Sequence, residues 1–327
     1  MNILITGIAG FIGSATAKEL LKKDDYTIIG IDNFSNYYDP KFKEENIRDL
    51  KIKLYRYDIR DINKLKKVFE ENKIDKIIHL ASMVGIRNSV KNPLIYEEVN
   101  IRGTLNLLEL AKKYKCKKFI FGSSSSVYGN NKNIPFFEED KTEAPISPYG
   151  ATKKSAEILC RTYNILYKLP VICLRFFTVY GPYSRPDMAI YKFSEKIFHN
   201  HEIERYGDGT TKRDYTYISD IVFGILKALD IDIGYKIINL GNSNSVDLNK
   251  LIGLIEKNLN KKAKIIVRDE TPGDTKQTCA DIRTAKYLLN YEPKVGIEKG
   301  IKLFCDWYVK NRANKYIVHN VKKLSKK

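Results

Sequence analysis

Tyr149 and Lys153 stand four residues apart in the segment Ser147-Pro148-Tyr149-Gly150-Ala151-Thr152-Lys153. On a helix, positions i and i+4 share a face, so the lysine ammonium can lie near the tyrosine phenol. A free phenol titrates near about 10 and is a poor base at neutral pH. A neighbouring cation favours the phenolate and moves it toward the working range. Upstream, Gly122-Ser123-Ser124-Ser125-Ser126-Val127-Tyr128-Gly129 brings hydroxyls to the end of a strand. Ser124 can hold the same substrate oxygen and help to pass its proton. The chemistry implied is proton abstraction from a sugar or alcohol hydroxyl. Taken alone, a tyrosine and a lysine on a helix are also what any exposed helix face carries, so the surrounding elements must decide.

Those elements begin at residue 2. Asn2-Ile3-Leu4-Ile5-Thr6 reads as a strand, Gly7-Ile8-Ala9-Gly10-Phe11-Ile12-Gly13 as a turn, and Ser14 to Leu21 as a helix. Glycines at 7, 10 and 13 let the backbone turn tightly and approach a pyrophosphate, which the helix N-terminus then faces with free amides. Gly7, Gly10, Phe11, Ile12 and Gly13 are therefore the candidate pyrophosphate contacts. A second strand ends at Asp32, placed to accept from both ribose hydroxyls and to repel a 2′-phosphate, which predicts NAD over NADP.

Further strands are expected at 52–56, 76–79, 117–121 and 170–175, with helices at 11–22, 61–72, 92–114 and 149–168. This alternation predicts an α/β, Rossmann-type doubly wound parallel sheet. Strand 117–121 delivers the serines at its C-terminal end, where such sheets bind ligands. Beyond 175 the pattern becomes irregular. Helices near 187–199, 219–229, 247–258 and 297–309 alternate with short strands near 203–206, 237–240 and 264–267. The expected organisation is a cofactor domain over 1–175 and a smaller mixed α/β substrate lobe over 176–315, some of which returns to the first domain. A basic tail covers 316–327.

Composition narrows the classes. The chain has 327 residues, 43% of them apolar, enough to bury a large core. The first strand opens at residue 2 without a charged leader, and no apolar run approaches the roughly 20 residues of a membrane span. The five cysteines are scattered, which predicts neither a disulfide framework nor a zinc site. A cytoplasmic chain without metal is expected. The net charge of +18 is spread over helices and loops with no basic helix interleaved with aromatics, so no nucleic-acid partner is expected.

Taken together, the glycine loop, Asp32-Asn33, Asp58-Ile59, His79-Leu80-Ala81-Ser82, Asn100, Ser124, Tyr149/Lys153 and Arg213-Asp214-Tyr215 resemble the extended short-chain dehydrogenase/reductases, in their nucleotide-sugar epimerase and dehydratase group. The resemblance covers about residues 1–310. It implies that Asn33, Asp58 and Ile59 lie along the adenosine and that Leu80, Ala81 and Ser82 pass beneath the pyrophosphate. It also implies that Lys153 holds the nicotinamide ribose, that Asn100 supports the catalytic helix, and that the chain is a homodimer built on the helices near 92–114 and 149–168. Two of these positions have plainer readings: Asp58 as a helix cap and Asn100 as a buried amide satisfied by backbone. Leu105, Leu108, Ile158 and Leu159 fit either a dimer bundle or the sheet.

Within the group, Ser126 stands where dehydratases and decarboxylases carry a glutamate, and a hydroxyl cannot replace that acid. Arg175-Phe176-Phe177-Thr178-Val179-Tyr180-Gly181-Pro182, continuing to Arg185-Pro186-Asp187-Met188-Ala189, is similar to UDP-glucuronate 4-epimerases. The similarity implies that Thr178 and Arg185 meet the sugar C5 carboxylate, which a guanidinium fork matches. Alternatively, Arg185 pairs with Asp187 or binds diphosphate. Arg87, Ser126, Arg213 and Asp274 complete the candidate substrate contacts; Met83 and Ile86 depart from the subfamily pattern, and Thr271 stands where glucose-type enzymes often carry a diphosphate-binding arginine. The expected reaction is reversible C4 epimerisation of a UDP-hexose through a 4-keto intermediate with bound NAD, foremost UDP-glucuronate. UDP-glucose and its N-acetyl forms are the alternative, followed by decarboxylation or a non-catalytic NAD- or RNA-binding role.

Overall fold

The computed structural model describes residues 1–269 and 275–313. Asp274, Thr271 and the tail 316–327 lie outside them. The strands are β1 Asn2–Thr6, β2 Thr27–Ile31, β3 Lys53–Tyr55, β4 Lys76–His79, β5 Lys118–Ser124, β6 Val171–Phe176, β7 Thr178–Tyr180, β8 Glu202–Tyr206, β9 Lys212–Tyr217, β10 Tyr235–Leu240, β11 Ser245–Asp247 and β12 Lys264–Arg268. The helices are α1 Phe11–Leu20, α2 Lys41–Ile47, α3 Ile62–Glu71, α4 Ile86–Lys91, α5 Pro93–Glu97, α6 Gly103–Lys113, α7 Pro148–Tyr167, α8 Ala189–Phe198, α9 Ile218–Asp230, α10 Leu248–Leu259, α11 Arg283–Leu289 and α12 Ile297–Asn311.

Seven strands form the main sheet in the order β10-β6-β5-β4-β1-β2-β3, all parallel. The central strands are near-continuous apolar runs because helices cover both faces: Ile3, Leu4, Ile5, Ile77, Ile78, Phe119 and Ile120 have no exposed surface. Strand order reverses between β1 and β4, the switch point at which such sheets open a ligand crevice. The opposite end, at the start of the central strands, is closed. Lys76 Nζ donates to the Leu229 carbonyl at 2.7 Å and Lys118 Nζ to that of Ile231, so two lysines satisfy the C-terminal end of α9.

The smaller lobe holds β11-β9-β7, β12-β8 and the helices α8, α10 and α12. Its core gathers Tyr180, Ile190, Tyr191, Ile203, Leu251, Ile255 and Phe304. The strand expected near 237–240 is β10, which pairs with β6 as the seventh strand of the main sheet, and α9 packs against α1. The long helix expected over 92–114 is divided: α5 and α6 are joined by a π-helical turn, Glu98–Arg102. Asn100 sits in that turn, and its side chain bonds the loop after β4 and α7, as described below.

Candidate active site

The crevice above the switch point is a cavity of about 1190 Å³ that runs from Gly7 to Arg213. At its cofactor end the glycines are required by space. Gly7 has φ +70°, and a Cβ there would lie 2.8 Å from the Ala81 amide nitrogen. A Cβ on Gly13 would lie 2.2 Å from the Gly7 carbonyl. Helix α1 starts at Gly10 with no side-chain cap, so the first-turn amides face the cavity without an internal acceptor. A polar cradle closed to any Cβ fits the pyrophosphate of a dinucleotide. Asp32 ends β2 buried, and accepts from the Phe34 amide at 2.8 Å, the Ala9 amide at 3.2 Å and Lys43 Nζ at 3.4 Å. Lys43, from α2, is a functional candidate the sequence reading missed.

Asn33 donates to Asp58 at 2.9 Å, and Arg60 grips the same carboxylate. Burial pushes the Asp58 carboxyl up, but the Arg60 and Asn33 bonds outweigh it and hold it below the usual range. Asp58 is not the cap of α3; Asp61 is, accepting from the Lys64 amide at 3.1 Å. Ile59 packs beneath α6, where a Cβ on Gly103 would meet its side chain at 2.5 Å. Leu80, Ala81 and Ser82 line the cavity at the end of β4. Asn100 accepts from Ser82 Oγ and the Met83 amide, both at 2.8 Å, and donates to Thr152 on α7 at 3.0 Å. One amide thus ties the cofactor loop to the helix that carries Tyr149.

Ser147 caps α7, accepting from the Gly150 amide at 3.1 Å, and so fixes Tyr149 in the first turn. Ser124 ends β5, accepts from the Ser126 amide at 3.1 Å and donates to Ser126 Oγ at 3.2 Å. Burial raises the Tyr149 phenol above its ordinary value, while a hydrogen bond with Ser124 and the Arg185 charge draw it back. The Lys153 ammonium donates to the Gly122 carbonyl at 2.7 Å, over the Phe121 ring. Burial depresses Lys153 to about 7. His79 is no rival base: its ring nitrogens meet Thr6 at 2.7 Å and Thr104 at 2.9 Å, and burial pushes it down to about 3.

At the sugar end, Thr178 opens β7 and lines the cavity. Arg185 engages Asp187 through both forks, Nε to Oδ1 at 2.9 Å and Nη2 to Oδ2 at 2.6 Å. The guanidinium also lies 5.5 Å from the Tyr37 ring centroid. Tyr37 bonds Tyr96, whose ring stands edge-on to Tyr149 at 6.2 Å. Neither tyrosine was foreseen as a site residue, because Tyr37 comes from a loop and the face of the helix that Tyr96 occupies is set by packing. Arg87 stacks on Tyr206, 4.0 Å from its centroid, and Arg213 on β9 donates to the Lys212 carbonyl at 2.9 Å. Ser126, Arg87 and Arg213 line the same cavity, joined there by Lys192 and Lys276. Asp214 serves the fold: it accepts from the amides of Asn242, Ser243 and Ala280, and burial raises it to about 6. Among the described residues no group of three or more His, Cys, Asp or Glu side chains could hold a metal.

Fold, crevice and Ser-Tyr-Lys set agree with the extended short-chain dehydrogenase/reductases, and the chain belongs to that family. The matching family is described as GDP-mannose 4,6 dehydratase and spans residues 4–304. The UDP-glucuronate 4-epimerase of Thermodesulfobacterium geofontis is 44% identical, over 94% of this chain and 96% of its own length. The crystal structure of UDP-glucuronic acid 4-epimerase from Bacillus cereus with UDP-glucuronic acid and NAD superposes with a TM-score of 0.89 at 38% identity, covering 95% of this chain and 99% of that one. UDP-glucose 4-epimerase of Thermotoga maritima with UDP-glucose gives 0.88 at 32% identity, covering 95% and 99%.

Proposed function

We propose that the protein is an NAD-dependent UDP-hexose 4-epimerase acting on UDP-glucuronate to give UDP-galacturonate, reversibly. The observation that carries this reading is the Ser124–Tyr149 pair within reach of the Arg185 guanidinium charge, in a cavity that Thr178 also lines. The relatives described above support both the chemistry and the substrate. Bound NAD supplies reversible hydride acceptance at the sugar C4. Gly7, Gly10, Phe11, Ile12 and Gly13 would hold its pyrophosphate, Asp32, Asn33 and Lys43 the adenosine ribose, and Asp58 and Ile59 the adenine. Leu80, Ala81, Ser82 and Asn100 would frame its middle.

Tyr149 takes the proton of the 4-hydroxyl and Ser124 holds the same oxygen. Once the cofactor ribose is present, Lys153 can leave Gly122, orient that ribose and add its charge beside the phenol. Ser126 carries no acid, so the site lacks the group that a dehydratase or decarboxylase needs next to the transient ketone. Thr178 and Arg185 hold the C5 carboxylate, and Arg87 and Arg213 meet the diphosphate end. Fixing the carboxylate keeps it out of alignment for loss of carbon dioxide from the 4-keto sugar. The prediction is that Arg185→Ala lowers kcat/KM for UDP-glucuronate roughly 10- to 100-fold, releases more carbon dioxide and leaves binding of UDP unchanged. Unchanged epimerisation of UDP-glucuronate with no extra carbon dioxide would remove Arg185 from this role.

On this reading the cofactor domain is 1–175 and the substrate lobe lies within 176–315, apart from β10 and α9, which pack on the main sheet. A homodimer through α7 is supported by Ile158, Ile165 and Leu166, which are 56%, 56% and 63% exposed along one stripe. Leu108 is fully buried and belongs to the sheet. No described helix is long and apolar enough to cross a membrane. The five unpaired cysteines support the cytoplasm as its compartment.

A further inference from the structure

The Arg185 fork already holds a carboxylate, that of Asp187. Both pair distances are short and the two bonds are parallel, the geometry in which a guanidinium binds a carboxylate most specifically. A sugar carboxylate therefore approaches a fork that is charge-compensated. Adding a second carboxylate would set like charges side by side, so binding must exchange one for the other. The partners differ in enclosure: the Arg185 side chain is 19% exposed and that of Asp187 37%. Arg185 is also held over Tyr37, which reaches Tyr149 through Tyr96. The side chain free to move outward to water is that of Asp187. It lies on the segment between β7 and α8 and lines the cavity.

Epimerisation at C4 needs the keto sugar to present its other face between loss and return of hydride. A carboxylate locked on Arg185 would oppose that turn. It would also leave a largely enclosed guanidinium without a counter-charge whenever it let go. We propose that Asp187 is a positioning residue acting through Arg185. It fills the fork at rest, yields it to the C5 carboxylate on binding, and retakes it only for the turn itself, so that the carboxylate is fixed on Arg185 whenever the ketone stands at the site of hydride transfer. The sugar carboxylate is thereby held firmly enough to orient C4 for Tyr149 and loosely enough to be released. This proposal rests on the carboxylate reading of Arg185 given above.

The test uses holoenzyme and the variants Asp187→Asn and Asp187→Ala, with binding of UDP, UDP-glucose and UDP-glucuronate measured by calorimetry and turnover of UDP-glucuronate measured in parallel. Asp187 lies at the surface of its loop, so Tm should not change. The expected result for both variants is roughly fivefold tighter binding of UDP-glucuronate, as for loss of a half-exposed competing ion pair, with UDP and UDP-glucose unchanged. Turnover at saturation should fall by a similar factor. That split, a lower KM with a lower kcat, is not produced by a residue that merely props Arg185 in place. Weaker binding of UDP-glucuronate would overturn the proposal, and so would tighter binding with kcat unchanged. If Arg185→Ala binds UDP-glucuronate as tightly as the natural protein, the carboxylate reading itself fails, whatever the Asp187 variants do.

Discussion

The two ends of the cavity are built on different terms. At the cofactor end, contacts are fixed by backbone: a glycine at φ +70°, a Cβ excluded at 2.2 Å, and a carboxylate gripped by two main-chain amides. At the sugar end, the contacts are side chains that hold one another: Arg185 with Asp187, Arg87 with Tyr206, Tyr37 with Tyr96. The first arrangement suits a cofactor that stays through the cycle, because its cradle costs nothing to reorganise. The second suits a ring that must be seized, turned and released. Tyr149 lies between them, tied by Asn100 and Thr152 to the cofactor loop and facing the exchangeable pairs on its other side.

The largest expected effect lies at that boundary. Tyr149→Phe should lower kcat by roughly 10²- to 10⁴-fold, the share of a positioned acid–base group. Binding of NAD and of UDP-glucuronate should be little changed, as read by calorimetry. A residual rate near that of the natural protein would move the base elsewhere and blur the two-ended picture. Next in size is Gly13→Ala, which drives a methyl into the Gly7 carbonyl. It should cost about 1–3 kcal/mol of stability and strip bound NAD from the purified protein, read by Tm and by absorbance after denaturation. A substitution tolerated there without loss of NAD would show that the cradle is not rigid.

The smallest effect concerns acid. His79 titrates near 3 in the folded protein against 6.5 unfolded, so between these values the folded state binds fewer protons. Stability should fall as pH drops from about 6.5 toward 3, and thermal melts of His79→Gln should fall less steeply over that window. Parallel curves would mean that other groups carry the acid sensitivity. Because His79 joins β1, β4 and α6 next to the glycine loop, NAD should be lost before the substrate lobe melts.

The same division decides what could be read from sequence. The strands of the main sheet were legible within a few residues because both faces are buried and the runs are apolar. The glycine loop was legible because steric exclusion admits no other residue. Ser124, Tyr149 and Arg185 stood out by type and context. What stayed hidden depends on contacts between distant short elements. β9, with the sequence Lys212-Arg213-Asp214-Tyr215-Thr216-Tyr217, has no apolar alternation to betray a strand, yet it carries Arg213. Tyr37 and Lys43 reach the cavity, and Tyr96 backs Tyr149, from a loop and short helices whose direction only packing sets. The spacing of Tyr149 and Lys153 was legible, but the resting partner of Lys153 was not. A buried ammonium goes to the nearest carbonyl, here that of Gly122, which no helical spacing reveals.

The most direct measurement is a product assay on the purified protein without added NAD, with UDP-glucuronate and UDP-glucose offered separately and epimers resolved by proton NMR. The account predicts conversion of UDP-glucuronate to UDP-galacturonate, with little or none of UDP-glucose. Conversion of UDP-glucose alone would contradict it and would mean that Arg185 and Thr178 do not serve a carboxylate.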